Sequence, residues 1–133
     1  MNDIAKEYAK NLFESPAKSL YSNYTYERKP LGENVYIDNK KSPENIFQEW
    51  YDENKYYNYY LKKFQKNSLH FTQLVWKETK SFEFSYIASG NKCCLVILYY
   101  PPGNFFERFN ENVENHINNV KWNINIKKLI LSL

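Results

Sequence analysis

The chain has 133 residues and a net charge of +3, with 43% hydrophobic and 25% charged residues. These values are typical of one globular domain. They exclude a fully disordered chain, and the small charge does not indicate a nucleic-acid-binding protein. No stretch approaches the ~20 apolar residues that span a bilayer. Residues 1–13 lack the apolar centre of a secretory signal, and position 2 is not the glycine that N-myristoylation requires, which predicts a cytosolic or peripheral chain.

The first third of the chain is predicted to hold a helix and a short strand. Residues 3–14 place apolar side chains at three- and four-residue spacing, which predicts an amphipathic helix capped by Asn2 or Asp3. Residues 15–31 contain two prolines and many polar residues, so an irregular connection is expected there. A short strand is predicted at residues 31–37.

A second helix is predicted at residues 43–54. Ser42 stands at the N-cap position and Pro43 at the first helical position, where its missing N–H costs nothing. One apolar stripe of this helix is formed by Ile46, Phe47 and Trp50. Residues 56–68 follow as a connection rich in tyrosine and lysine.

The next part of the chain is predicted to form a meander of three strands at residues 71–76, 82–88 and 93–100. Residues 89–91, Ser-Gly-Asn, are a hairpin-turn signal between the last two strands. The continuous apolar run at 93–100 is typical of a strand that is buried on both faces, and the Pro-Pro-Gly-Asn sequence at 101–104 ends it. Helices followed by such a meander predict an α+β layered domain with an antiparallel sheet.

Three short segments, in a fixed order along the chain, resemble the signature motifs of one protein family. They are Leu-Gly-Glu-Asn-Val at 31–35, His-Phe-Thr-Gln-Leu-Val-Trp-Lys-Glu-Thr at 70–79 and Tyr-Tyr-Pro-Pro-Gly-Asn-Phe at 99–105. They are similar to the GEN, HFTQ-x-VW and Y-x-P-x-GN motifs of the CAP superfamily, or SCP domain. That family includes cysteine-rich secretory, antigen 5 and pathogenesis-related class 1 proteins. The resemblance covers residues 2–113, whereas the Asn-rich tail at 114–133 has no counterpart and no predicted role.

The resemblance implies a fold of the α+β class, a three-layer α-β-α sandwich with a small antiparallel sheet. Residue 2 already matches the second helix of the family. The opening helix is therefore expected to be missing, and the domain to be partial, either because the chain is truncated at its N-terminus or because it is a divergent member that begins late.

Two further features resemble the Golgi-associated plant pathogenesis-related branch of the family. Residues 106–113 are similar to the end of that branch, and Ile97 stands where secreted members usually carry a cysteine. The branch implies a non-enzymatic binding module on the Golgi or cytoplasmic face of membranes, with a lipid or sterol as its partner and in some members a homodimer. The alternative is a secreted protein of the extracellular region, of the defence, venom or antigen type, whose signal peptide is absent from this chain.

The family cleft is lined by two His and two Glu that hold a divalent metal in some members. Glu33, Glu53 and His70 match three of these four positions by resemblance. The earlier histidine is replaced by the Leu-Tyr-Ser-Asn sequence at residues 20–23, and His116 in the tail is the chain's only other histidine. One imidazole and two carboxylates predict weak or no binding of a metal such as zinc. The alternative is a polar cleft held together by hydrogen bonds.

No catalytic residue or cofactor is predicted. The sequence has no nucleophile elbow and no Ser-His-Asp pattern, so a metal-dependent hydrolase is a remote alternative. Cys93 and Cys94 are neighbours in a predicted strand and should point to opposite faces, which prevents a bridge between them. Cys94 in that apolar strand is expected to be an inert core thiol.

Residues 56–64 occupy the place where family members carry an aromatic loop linked to sterol binding. Aromatic rings and lysines suit the boundary between lipid and water. The predicted lipid contacts are Tyr57, Tyr60, Lys62, Lys63 and Phe64. The alternative is a continued helix whose tyrosine rings pack on the core. Nucleic-acid stacking by the same rings is not expected at so small a net charge.

Overall fold

The computed structural model describes residues 3–15, 25–26 and 29–114. Its helices and strands in chain order are α1 (Ile4–Glu14), β1 (Thr25–Tyr26), β2 (Lys29–Pro30), β3 (Gly32–Asn39), α2 (Pro43–Asp52), α3 (Leu69–Val75), β4 (Ser81–Ser89), β5 (Lys92–Tyr100) and α4 (Phe109–Asn112). Two 3₁₀ turns, Glu53–Tyr56 and Lys66–Ser68, flank the predicted connection between α2 and α3.

The centre of the fold is an antiparallel sheet with the strand order β3-β5-β4. The β4–β5 hairpin pairs Ser89 with Lys92 across a two-residue turn, in which Gly90 has a φ of +60°. A positive φ is strained for a residue with a Cβ, so glycine suits this position. The predicted strands at 82–88 and 93–100 and the hairpin turn between them are confirmed, and the strand predicted at 31–37 is β3.

Alternating side chains of the central strand β5 supply two separate cores. Cys93 packs with Trp50, Phe71 and other residues from α2 and α3 on one face. Cys94 packs with Tyr8 and other residues of α1 on the opposite face. Both thiols are free and fully buried, as their alternation in the strand predicts. Helices on both faces of the sheet confirm the predicted three-layer α+β architecture.

Helix α1 is confirmed, and Asp3 occupies its N-cap position as predicted, although the Asp3 side chain makes no capping hydrogen bond. Asn2, the other predicted cap, lies outside the described residues. The N–H of Ala5 donates instead to a carboxylate oxygen of Glu83, which comes from β4. A helix N-terminus needs acceptors for its free N–H groups, and a strand distant in sequence supplies one here.

Helix α2 has the predicted start. Ser42 Oγ accepts the N–H of Asn45 at 3.2 Å, and Pro43 stands at the first helical position. The buried side chains Ile46, Phe47 and Trp50 form the predicted apolar stripe. Local capping chemistry was sufficient to place this helix because the cap and the apolar spacing agree.

The strand predicted at residues 71–76 is wrong, because this segment is helix α3. All residues from Phe71 to Trp76 are buried, so no alternation between buried and exposed positions distinguishes a strand. The apolar residues Phe71, Leu74 and Val75 have i, i+3, i+4 spacing, which a helix also satisfies. The third strand of the sheet is therefore β3 rather than residues 71–76.

Two connections differ in how well they were predicted. Residues 15–31 were expected to be irregular, but the described part contains the short antiparallel pair β1–β2, with Tyr26 in edge contact with Tyr100 at 4.8 Å between ring centroids. Residues 56–68 form the predicted connection.

Residues 20–23 and the tail from residue 115, including His116, lie outside the described residues. The helices of the described ranges all fall short of the length and apolarity that a bilayer-spanning helix needs.

Candidate functional site

Glu53 and His70 form a contact pair in the region between α2 and α3. Glu53 begins the 3₁₀ turn that follows α2, and its Oε2 lies 2.7 Å from His70 Nδ1. Its Oε1 accepts the backbone N–H groups of His70 and Phe71 at 3.1 and 3.2 Å. One carboxylate therefore orients the imidazole and also caps the first turn of α3.

The imidazole of His70 has a packed face and an open edge. Its ring stacks on Trp50, with 5.3 Å between centroids and 16° between planes. The carbonyl oxygen of His70 accepts the side-chain amide of Asn34 at 3.2 Å, and this amide also donates to the hydroxyl of Tyr99 at 3.1 Å. The side chain of His70 is still 43% exposed. The pair is thus held by the protein on one side, and the edge of its imidazole is accessible to solvent.

Glu33 does not join this pair in the described structure. It is paired in register with Leu98, which belongs to the core on the α1 face of the sheet. Its Oε1 accepts the hydroxyl of Tyr8 at 3.3 Å. The neighbouring Asn34 contacts the His70 backbone, so the first and second motif segments meet, but the structure brings together only two of the three predicted side chains.

The described residues contain no group of three His, Cys, Asp or Glu side chains that could hold a metal ion. Zinc sites in proteins use at least three protein ligands. A donor set of Glu53 and His70, with the imidazole Nδ1 already engaged by the carboxylate, does not fit that requirement. No step of a mechanism is therefore assigned to a metal here.

The three motif segments converge on the buried side chain of Gln73. Its Oε1 accepts the N–H of Gly103 at 2.9 Å, and its Nε2 donates to Thr79 Oγ1 at 3.3 Å. A Cβ at Gly32 or at Gly103 would approach Gln73 more closely than van der Waals contact permits. These motif residues therefore serve close packing rather than chemistry, since a larger residue would separate the segments.

The connection at residues 57–65 is a closed loop and not a continued helix. The Gln65 side chain accepts the N–H of Asn58 at 2.8 Å and donates to the Asn58 carbonyl at 3.0 Å. The Asn58 side chain in turn accepts the N–H of Tyr60 at 3.0 Å. Lys62 completes the bend with a φ of +47°. These hydrogen bonds hold the loop in one shape while its tip faces solvent.

Tyr57 was predicted as a lipid contact, and this prediction is wrong. Its side chain is only 5% exposed and packs against Phe71 and Phe109 of the core. Burial raises its pKa because the charged phenolate is poorly solvated there. The neighbouring Tyr59 is half-buried, and burial raises its pKa to about 12. Tyr57 therefore belongs to the core, and Tyr59 is partly buried against it.

The other predicted lipid residues are at the surface of the loop. Tyr60 is 96% exposed, and Lys62 and Lys63 are exposed beside it. Phe64 is half-buried and stacks on Phe106, with 4.6 Å between ring centroids and 20° between planes. These four side chains are therefore at the surface, as a lipid contact requires, and their binding of lipid remains a proposal.

Two exposed rings were not predicted from the sequence. Phe106 is 72% exposed and Phe105 is 50% exposed, directly after Asn104, whose φ is +61°. Thr72 Oγ1 donates to Asn104 Oδ1 at 2.6 Å, which fixes this bend on α3. Two consecutive large apolar residues immediately after a turn signal were the feature that could have indicated their exposure.

Neither cysteine is placed for nucleophilic chemistry. Burial and the neighbouring Cys93 raise the pKa of Cys94 to about 11. A thiol held in its neutral form in the core is a poor nucleophile. The imidazole of His70 has no hydroxyl or thiol among the hydrogen-bond partners that the described ranges provide.

These features define a three-layer sandwich in which three sequence motifs converge beside a Glu–His pair. A sequence profile described as "CAP: Cysteine-rich secretory protein family" matches residues 1–100 of the chain. The chain therefore belongs to the cysteine-rich secretory protein (CAP) family.

Two curated relatives and one solved structure are similar to parts of the chain. It is 30% identical over 117 residues to "Golgi-associated plant pathogenesis-related protein 1" of Homo sapiens, covering 85% of this chain and 75% of that protein. It is 36% identical over 50 residues to "GLIPR1-like protein 1" of Mus musculus, covering 37% of this chain and 21% of that protein. The solved structure titled "Crystal structure of NaASP2 with Zn2+" aligns with a TM-score of 0.48 and 25% identity. The alignment covers 77% of this chain and 59% of that one, so the chain spans about three fifths of the solved protein.

Proposed function

We propose that this CAP-family chain is a binding protein of membrane surfaces, associated peripherally with lipid or sterol and without catalytic activity. The observation that carries the proposal is the closed loop at residues 57–65, which presents Tyr60 and two lysines to solvent. Rings at a lipid boundary gain free energy from leaving water, and lysines gain it from anionic headgroups.

The charge distribution supports an anionic membrane. Residues 54–77 contain five lysines and no aspartate or glutamate, although the net charge of the whole chain is only +3. Lys55, Lys62, Lys63 and Lys66 in this stretch are all exposed. A local positive surface of this kind attracts anionic lipid within about one Debye length, roughly 8 Å at physiological salt.

The Glu53–His70 pair supports binding rather than catalysis. The Glu53 carboxylate is hydrogen-bonded to the His70 imidazole and to two backbone N–H groups, so its role is structural. General acid–base chemistry also needs a reacting group within hydrogen-bond reach, and no nucleophile stands beside this imidazole in the described structure. The pair is best explained as the connection between α2 and α3.

The proposed location is the Golgi or cytoplasmic face of a membrane. It is supported by the name of the human relative, which describes that protein as Golgi-associated.

Flotation of the full chain with vesicles tests the proposed function. We expect binding to vesicles of phosphatidylcholine with 30% phosphatidylserine and weak binding to pure phosphatidylcholine. Each lysine near the anionic surface should contribute about 1 kcal/mol to the free energy of binding. Added cholesterol tests the sterol partner separately. Lys62→Glu with Lys63→Glu should weaken binding most at low salt.

The matched control is Lys6→Glu with Lys10→Glu. These two lysines are also exposed but lie on α1, on the other side of the sheet. They change the net charge by the same amount, so a loss in both pairs alike would show that only total charge matters. Absence of binding by the intact chain to every vesicle would reject the proposed function.

A further inference from the structure

The exposed large apolar side chains of the described residues are concentrated in one region. Tyr60 and Leu61 lie at the tip of the loop at 57–65, with 96% and 51% exposure. Phe105 and Phe106 lie directly after β5, with 50% and 72% exposure. The one other exposed large side chain in the described ranges, Tyr56, ends the 3₁₀ turn just before the first loop and has Lys55 over its ring. Such concentration is unusual, because exposed apolar residues of a soluble domain are normally scattered.

The two loops are in direct contact through Phe64 and Phe106, which are 42 positions apart in sequence. Phe64 of the first loop stacks on Phe106 of the second, and it also meets Phe109 edge-on at 6.2 Å between centroids. A surface groove of about 550 Å³ is lined by Tyr59, Tyr60, Lys62, Asn110, Val113 and Glu114. Tyr60, Leu61, Phe64, Phe105 and Phe106 are called the apolar patch below.

Both loops are held in shape before any partner arrives. The first is closed by the Asn58–Gln65 hydrogen bonds. The second is tied to α3 through Asn104, whose side-chain amide donates to the Leu69 carbonyl at 3.0 Å, and its bend is closed by the N–H of Arg108 donating to the Phe105 carbonyl at 3.1 Å. Little conformational entropy is then lost when the patch becomes buried against a partner.

We propose that the apolar patch is a two-loop membrane-inserting surface, in which Phe105 and Phe106 enter the headgroup region of an anionic bilayer together with Tyr60 and Leu61. This inference rests on the proposed function and adds to it a second loop, distant in sequence, and a mode of contact. The lysines at positions 62 and 63 flank the rings and meet the anionic headgroups.

The charge pattern favours a bilayer over a protein partner. A protein-binding patch is typically surrounded by mixed polar groups that pair specifically with the partner. Here the first loop carries only positive charge. The second loop also carries the exposed Glu107, whereas Arg108 is paired with Glu78 and Glu111 and Glu114 is paired with Lys77. The lysines at positions 62 and 63, beside the exposed rings of Tyr60 and Phe106, match a surface that is anionic outside and apolar beneath.

The test compares the two loops in the full chain by flotation with vesicles containing 30% phosphatidylserine. Phe105→Ser with Phe106→Ser should weaken binding about tenfold at both low and high salt, because burial of apolar side chains is not screened by ions. Tyr60→Ser with Leu61→Ser should have a similar effect from the first loop. Lys62→Glu with Lys63→Glu should instead lose its effect as salt rises.

A conservative variant keeps the test independent of folding. Phe106→Trp retains an aromatic ring and should bind at least as well as the natural chain, with a blue-shifted emission that appears only when anionic vesicles are added. Melting temperatures of all variants should agree within about 4 °C, since changes at exposed positions are small.

The outcomes separate the inference from the function on which it rests. If the intact chain floats and the serine variant at Phe105 and Phe106 floats equally well, the two-loop surface is rejected and the proposed function stands. If the intact chain binds no vesicle, both are rejected, and the patch would be assigned to a protein partner. A salt-insensitive loss in both serine variants, with the emission shift of Phe106→Trp, supports the inference.

Discussion

The Glu53–His70 pair and the loop at residues 57–65 are close in sequence, yet the pair satisfies its polar groups internally whereas the loop exposes an apolar ring to solvent. The pair resembles a reactive site in its residue types, but its hydrogen bonds are spent on the backbone of α3 and on each other. The loop is a connection between two helices, but it exposes the aromatic ring of Tyr60 to solvent. Residue types alone offered a weak metal site at the pair and a lipid contact at the loop, and the hydrogen bonds of the pair together with the exposure of Tyr60 favour function at the loop.

The largest expected effect separates two tyrosines of this region by burial. Tyr57→Ala should lower the free energy of unfolding by about 3–4 kcal/mol, because it removes a buried ring from the core. Tyr60→Ala should change it by no more than about 0.5 kcal/mol, since that ring is exposed. Urea unfolding followed by circular dichroism measures both. Equal losses in the two variants would contradict the distinction between core and surface.

The next effect compares two glutamates near the C-terminal end of α2, one in the helix and one directly after it. Glu53→Ala should cost about 2–3 kcal/mol, because it leaves the N–H groups of His70 and Phe71 without their acceptor. Glu49→Ala removes an exposed ion pair with Lys41 and should cost at most about 1 kcal/mol. Thermal unfolding at pH 7 is the measurement. A cost at Glu53 no greater than at Glu49 would show that the pair is not structural.

Alkaline pH should reveal the buried tyrosines around the loop. Burial raises the pKa of Tyr59 from 10.0 to about 12, so the folded state retains a proton that the unfolded state releases. The unfolded state then binds fewer protons, and stability is full below pH 10 and falls as the pH rises toward 12. Tyr59→Phe should make the decrease in urea midpoint between pH 9 and pH 11 smaller.

The control for this pH dependence is Tyr60→Phe. Its hydroxyl meets water in the folded state as well as in the unfolded state, because the side chain is 96% exposed. This variant should therefore show the same decrease as the natural chain. A flatter profile for Tyr60→Phe than for Tyr59→Phe would reverse the assignment of the two side chains.

The smallest expected effect concerns zinc at the Glu53–His70 pair. Two protein ligands, one of them already bonded to the other, are a poor match for a metal that takes three or four. Calorimetry with Zn²⁺ should therefore show weak heats that do not saturate at one equivalent. Tight stoichiometric binding that His70→Ala abolishes would prove this wrong, and it would reopen the metal-dependent hydrolase as an alternative.

The accuracy of the sequence-based predictions depended on whether a segment's signals were local. Helix α2 was predicted correctly because Ser42, Pro43 and the apolar spacing after them all act within one helix. The β4–β5 hairpin was predicted because Gly90 marks the turn between two apolar runs. Helix α3 was missed because its first N–H groups find their acceptor in Glu53, which lies 17 residues away from His70.

The candidate sites show the same division. The resemblance to the CAP family correctly brought Glu53 and His70 together, but Glu33 faces the α1 side, where its strand register with Leu98 places it. Exposure of Tyr60 and burial of Tyr57 could not be read from a run of similar tyrosines. They differ because one ring reaches the core beside Phe109 and the other lies beyond the bend of the loop.

The amino-acid sequence by itself determined the family, the α+β class, the confirmed helix α2 and the buried central strand, because each depends on contiguous motifs or on periodic apolar residues. Only the tertiary structure decided which glutamate pairs with His70, which residue caps α1 and which rings of the loops remain exposed. Those outcomes depend on contacts between segments far apart in the chain, such as Phe64 on Phe106 and Ala5 on Glu83. Periodicity carries no information about such contacts, since they are set by how the layers pack.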